Sequence, residues 1–251
     1  MARKRRGDTP PVKSAMRTLA LLEFFRERKA AASVTEIAAA LEMPQSSASV
    51  LLKSLFSLNY LDYDAASRRF LPSYRITLLG DWIQRVRFGD ERLTDLTEAL
   101  RAETGETVML GQQTGAGMQY LHIVAATYPL QLAIYVGEIR PMSRCALGQI
   151  LLSRKPNSEI RAIVRRNNAD ECIASRRIRE TAFIEEIENV RRCGYSESRG
   201  RMTAGANTIG MIAPTNDKTH LLAIGIGGPS ERIEQKRLQI IEAMRRRLGG
   251  K

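Results

Sequence analysis

The segment that follows Pro44 carries the most suggestive chemistry in the sequence. Gln45, Ser46, Ser47 and Ser49 stand there with no acid after Glu42. A solvated helix face is usually rich in Glu and Lys; short hydroxyls and a single amide can instead approach phosphate oxygens and base edges without repulsion. Gln45 has the donor–acceptor pair that reads adenine bidentately. Ser46, Ser47 and Thr35 suit phosphate oxygens, and Lys53, Arg68 and Arg69 would add positive charge nearby. The competing reading is an ordinary solvated face on a three-helix cap.

A second chemical possibility is Cys145, beside Arg144 at the start of an expected helix, where a thiol's pKa falls. With His122 as base it would suit a hydrolase or transferase acting on an anionic substrate, provided the two side chains come within hydrogen-bond reach. The opposing reading makes Cys145 a small buried residue and His122 a core histidine in the apolar run Tyr120–Val124. His220 abuts an expected turn at residues 216–218, and neither histidine has a spacing partner for a metal. Cys145, Cys172 and Cys193 are odd in number and form no CxxC, which disfavours a zinc site and a disulfide framework. No glycine-rich loop opens onto a helix with Lys-Ser or Lys-Thr, so a nucleoside triphosphate site is not expected. Neither a cofactor nor a metal is predicted.

Charge narrows the partner. The chain has 39 basic and 27 acidic residues, a net charge of +12, which favours a polyanion. Nucleic acid and an anionic membrane are the candidates; no apolar stretch reaches the roughly 18 residues of a membrane span, so no span is expected. Aromatics at 6% argue against a base-stacking surface. The start, Arg3 to Arg6, lacks an apolar continuation and reads as a disordered basic arm of a cytoplasmic protein.

These groups need elements to hold them. Length alone, 251 residues, predicts two domains. Ala15, Leu19, Leu22 and Phe25 predict a helix over residues 12–28. Ser33-Val34-Thr35-Glu36 is a capping box that opens a short helix to Leu41. Pro44 fits the first turn of a third helix, running to about Leu58 with Ala48, Leu51, Leu52, Leu55 and Leu58 as its apolar stripe. A hairpin, residues 60–63 with 69–71, completes a winged helix-turn-helix pattern. Leu78, Leu79, Trp82, Ile83 and Val86 predict a connecting helix, with Trp82 a candidate lever between domains. Beyond it, strands are expected at 107–111, 119–124, 132–136, 206–212 and 221–226, and helices at 145–152, 158–166, 180–193 and 231–248: an α+β sheet domain. Glu185, Glu186 and Glu188 read as a solvated face, and Met109, Met118, Met142, Met202 and Met211 as core or pocket lining.

Four stretches, in order, resemble IclR-type bacterial transcriptional regulators over nearly the whole chain. They are residues 12–22; Glu36-Ile37-Ala38 through Met43-Pro44-Gln45-Ser46-Ser47-Ala48; Gly137-Glu138-Ile139-Arg140-Pro141-Met142-Ser143-Arg144-Cys145-Ala146-Leu147-Gly148; and residues 190–195 through 223–229. The resemblance implies a two-domain α+β protein: an N-terminal winged helix-turn-helix joined by a helix to a C-terminal GAF-like, effector-binding α+β domain. The expected limits are 1–11 for the arm, 12–73 for the DNA-binding domain, 74–89 for the linker helix and 90–251 for the effector domain. It implies a regulator, not an enzyme, that self-associates to a dimer or tetramer on a palindromic double-stranded operator and answers a small organic acid, aromatic acids included. An effector-independent DNA-binding or dimerisation protein is the alternative.

The chain departs from the family in three places, one of them Ser143, which stands where the family has His. Val50 stands where the recognition helix often has Arg. The Asp, Cys and two Ser of acid-binding members correspond to Ser198, Thr208, Gly225 and Gly227, with Leu132, Arg140, Ala146, Leu147 and Ala206 as further walls. The two glycines are expected to remove hydroxyls and add volume, favouring a bulky acid paired with Arg140, or with Arg144 or Arg199 nearby.

Overall fold

A computed structural model describes residues 12–80, 92–215 and 221–249. The chain divides into two compact units, residues 1–84 and 85–251. The arm, Trp82 and His220 lie outside the described residues, as does most of the expected linker helix, of which residues 75–80 are helical.

In the first unit α1 (Lys13–Arg28), α2 (Val34–Ala40) and α3 (Gln45–Ser57) precede an antiparallel hairpin, β1 (Leu61–Asp64) and β2 (Arg69–Pro72). Leu21, Phe25, Ile37, Leu52, Leu61 and Phe70 form one core. The capping box is complete: the Ser33 hydroxyl accepts from the Glu36 amide, and the Glu36 carboxylate accepts from the Ser33 amide at 2.8 Å. Pro44 sits one position earlier than expected, as N-cap of α3. Leu58 falls past the last turn and is 56% exposed, so the apolar stripe ends at Leu55.

The second unit is one antiparallel sheet between two helical layers. Its strands are β3 (Thr107–Thr114), β4 (Gly117–Val124), β5 (Ile139–Pro141), β6 (Ser196–Glu197), β7 (Ala206–Ile212) and β8 (Leu222–Pro229), ordered β5-β4-β3-β8-β7-β6. Strand alternation sorts the side chains. Val108, Leu110, Ile209, Ile224 and Ile226 pack with α4 (Arg92–Thr104), α8 (Ser230–Gln235) and α9 (Arg237–Leu248). Met109, Met118 and Tyr120 pack on the other face with α5 (Ala146–Leu152), α6 (Asn157–Ala169) and α7 (Glu180–Cys193). Met142 joins this layer and Met211 the opposite one.

Two expected elements are corrected. Residues 132–136 are not a strand. The free edge of β4 is taken by β5, and Leu132 and Ile134 turn onto the core while Tyr135 and Val136 face water. The terminal helix is broken at Lys236, whose ammonium is drawn to the Thr104 carbonyl at 2.9 Å and Glu106 at 3.2 Å. Glu106 is fully buried and also accepts two hydrogen bonds from Arg232, at 2.6 and 2.7 Å. Tyr128 lies against both cations, with Arg232 4.2 Å and Lys236 4.6 Å from its ring centre. This knot fastens one end of the loop 125–138; the other end is held where Gln119 donates to the Gly137 carbonyl at 3.1 Å.

Candidate nucleic-acid interface and ligand pocket

The N-terminus of α3 presents an outward polar face. Gln45 and Ser46 are exposed, and Ser47 and Ser49 are half-buried. Among the described residues no hydrogen-bond partner engages the hydroxyls of these three serines. No acid lies in the first turn, and Pro44 offers no capping side chain, so the first helical amides face outward with the positive end of the helix dipole. The Gln45 amide donates to the exposed Thr35 hydroxyl at 3.2 Å, which ties α2 to α3 at this surface. Val50, 66% exposed, and Lys53 continue the face. Val50 is apolar and wetted where a basic residue was expected.

The hairpin separates its two arginines. Asp64 accepts from the Ala66 amide at 3.0 Å, the Ser67 amide at 3.2 Å and the Ser67 hydroxyl, and these bonds hold its carboxyl below the usual range. The tight turn leaves Arg68 exposed in the left-handed region, φ 55°, with no ion pair among the described residues. Arg69 turns inward: it reaches Glu36 at 3.0 Å and the Ala31 carbonyl at 3.0 Å. It is therefore a clamp within the fold, and the expected grip on DNA passes to Arg68. Hydrogen bonds from the Ser33 amide, Arg28 and the Ser33 hydroxyl lower the Glu36 pKa to about 2.

In the second unit, seven of the nine expected effector residues line one pocket: Leu132, Arg140, Ala146, Leu147, Ser198, Ala206 and Thr208. Tyr120, Ile134, Cys145, Met202 and Thr203 complete it. Only the alternation of β4, which puts Tyr120 on the face of Met118, could have pointed to Tyr120 beforehand. The cavity is about 40 Å³. That holds about three waters at roughly 10–15 Å³ each.

Gly225 and Gly227 are not on its wall, and they add no volume. A Cβ on Gly225 would lie 2.3 Å from Leu147 Cδ1, and one on Gly227 would lie 2.6 Å from Thr208 Oγ1 and 2.9 Å from Leu132 Cδ1. The side chains of Leu147, Thr208 and Leu132 have moved into the space the glycines vacate. Ser198 turns its hydroxyl to the backbone, accepting from the Thr208 amide at 3.0 Å.

The three arginines behave differently. Arg144 is buried, pairs with Glu171 and donates to the Arg201 carbonyl at 2.9 Å. Arg199 is exposed beside Glu197, at 3.1 Å. Arg140 lines the pocket, gives one terminal nitrogen to Glu138 at 2.6 Å, and keeps a buried Nε with no partner among the described residues. Burial pushes the Cys145 thiol up to about 12, against the small opposing pull of nearby amides and Arg140, and also raises the Tyr120 phenol. Cys145 is thus a protonated core thiol and not a nucleophile. His122 pairs across the sheet with Leu110, which packs in the opposite layer, so it does not face Cys145. Among the described residues no three His, Cys, Asp or Glu side chains group as a metal site, and no helix is long and apolar enough to cross a membrane.

Comparison with known proteins points to one family for both units. The description "Bacterial transcriptional regulator IclR C-terminal" matches residues 91–248, and "IclR helix-turn-helix domain" matches residues 14–65. The chain is similar to the HTH-type transcriptional regulator KdgR of Escherichia coli K12, 23% identical over 93% of this chain and 88% of that one. Its fold is similar to that of Thermotoga maritima IclR, with a TM-score of 0.75 at 18% identity, covering 94% and 96% of the two chains. An IclR homolog from Microbacterium hydrocarbonoxydans, solved as a complex with 4-hydroxybenzoate, matches with a TM-score of 0.71 at 16% identity over 95% of this chain and 100% of that one.

Proposed function

Given that the chain belongs to the IclR family of bacterial transcriptional regulators, which are regulators and not enzymes, we propose that it controls genes of organic-acid breakdown by binding a palindromic operator as a dimer or tetramer, and that an organic acid held by Arg140 alters that binding. The observation that carries the DNA half is the outward, acid-free start of α3. On this reading Gln45 contacts base edges, Ser46, Ser47, Ser49 and Thr35 contact phosphates, and Lys53 and Arg68 add charge. Two protomers set two such helices about 34–36 Å apart, or a multiple of it. The domain limits proposed are 12–73 for DNA binding and 90–251 for the effector, with 1–11 as arm and 74–89 as linker.

The effector half rests on the buried, partnerless Nε of Arg140. A carboxylate there gains a charge-assisted bond in a partly dry pocket. Leu132 and Ile134 lie on the loop 125–138, so a ligand larger than a few atoms is admitted when they lift. The 4-hydroxybenzoate bound by the Microbacterium protein favours an aromatic acid as the larger occupant. A ligand shifts DNA affinity only by binding the competent and incompetent arrangements unequally.

The test is a fluorescence anisotropy titration against the gene's own upstream DNA at fixed salt, with and without a panel of two-carbon, three-carbon and aromatic acids. Cognate DNA should bind at least about a thousandfold more tightly than scrambled DNA, and one acid should shift that affinity. Equal competition by scrambled DNA would end the DNA reading. Unchanged affinity with every acid would favour an effector-independent DNA-binding protein.

A further inference from the structure

A second cleft lies in the effector unit between α5, α7 and β6. Its volume is about 280 Å³, against about 40 Å³ for the pocket at Arg140. This is just below the usual range for small-molecule sites, roughly 300–1,000 Å³, and suits a small metabolite. Gln149 of α5 lines it and is fully buried, yet neither its Nε2 nor its Oε1 has a hydrogen-bond partner among the described residues. A buried amide left unpaired on both atoms is costly, and such groups are held where something else satisfies them.

The cleft's charges cancel. Arg201 pairs with Glu186 at 2.9 Å and Arg199 with Glu197 at 3.1 Å, and all four line it. Glu197 is further held by Arg237 at 2.6 Å. Each guanidinium on the wall already has a carboxylate partner. What is free is an amide offering donors and an acceptor together, with the Asn189 side chain exposed on α7. A hydroxyl both donates and accepts, so a molecule bearing several hydroxyls and no charge matches this lining.

We propose that this cleft binds a small uncharged polyol, with the Gln149 amide as its floor. The site is separate from the organic-acid reading and does not depend on it. It adjoins that pocket all the same. Ser198 lines both cavities, and α5 turns Ala146 and Leu147 to one and Gln149 to the other. Occupancy of the cleft therefore fixes the helix that floors the acid pocket.

The test is isothermal titration calorimetry on the full chain with erythritol, ribitol, sorbitol and myo-inositol, using gluconate as the charged counterpart and 1,6-hexanediol as the sparsely hydroxylated one. At least one polyol should saturate with a dissociation constant of about 1 mM or tighter, and gluconate and hexanediol should bind at least about tenfold more weakly. Gln149→Met, similar in length and without the amide, should lose about tenfold to a hundredfold in polyol affinity. Asn189→Trp, at an exposed position, should block the cleft and keep the proposal testable where Gln149→Met fails to fold. Any acid response should survive both variants, which separates failure here from failure of the acid reading. No saturation by any polyol at about 10 mM, equal binding of gluconate, or undiminished binding by the folded variants would overturn the proposal.

Discussion

The start of α3 and the pocket at Arg140 solve opposite problems. On α3 the serine hydroxyls and first-turn amides have no partner among the described residues, and water can serve them, so leaving them open costs little. In the pocket there is room for only about three waters, and a larger open cavity would forfeit packing. There Leu147, Thr208 and Leu132 have closed onto Gly225 and Gly227, and Ser198 has turned to the backbone. A surface for a large rigid partner can stand ready; a pocket for a small one fills itself until the ligand competes.

The sharpest way to break this contrast is Ser46→Glu. A carboxylate in the acid-free turn should cost roughly a hundredfold in DNA affinity, through phosphate repulsion and lost contacts, without lowering the melting temperature. Retained affinity would remove α3 from the interface. Arg140→Leu should leave DNA affinity intact and reduce organic-acid affinity about tenfold or more by calorimetry; an unchanged acid titration would place the carboxylate elsewhere. Gly225→Ala asks whether the pocket is truly filled. A methyl 2.3 Å from Leu147 Cδ1 should destabilise by about 1–3 kcal/mol in denaturant unfolding, and a neutral result would show that Leu147 moves aside freely.

The smallest effects lie in the first unit. Arg68→Ala should lower the slope of log affinity against log salt by about one, while Arg69→Ala should instead lower the melting temperature, since only Arg69 is tied to Glu36. Glu36 supplies the matching pH dependence. Its folded pKa, about 2, lies below the unfolded value of roughly 4.3. Its contribution is therefore full above the unfolded value and drains away as pH falls toward 2. Glu36→Gln should narrow the gap in melting temperature to the parent as pH drops from 6 toward 2, and a gap independent of pH would deny the ionic part of the clamp.

Much of this was legible in residue order. The Ser33–Glu36 box, the run after Pro44 and the β7 limits depend on neighbours in sequence, where local patterns decide. Seven wall residues of the pocket followed from resemblance to a family. The inward turn of Arg69 was hidden because it depends on Glu36 and Ala31, more than thirty positions away. So was the loop at 132–136, whose strand-like alternation had no vacant sheet edge to join. The glycines misled for the same reason. Their missing side chains were visible, but Leu132 and Leu147, which fill the gap, come from distant segments.

The knot around Glu106 sets an order on how the molecule is made. Its carboxylate stands just ahead of β3, while Arg232 and Lys236 emerge from the ribosome some 126 and 130 residues later. Until they arrive, that buried anion has no counter-charge, and Tyr128 has nothing to stack on. The pocket at Arg140 is therefore roofed only after residue 236 has been made, and a chain cut short before residue 232 would carry the strands of the second unit without a fastened loop 125–138.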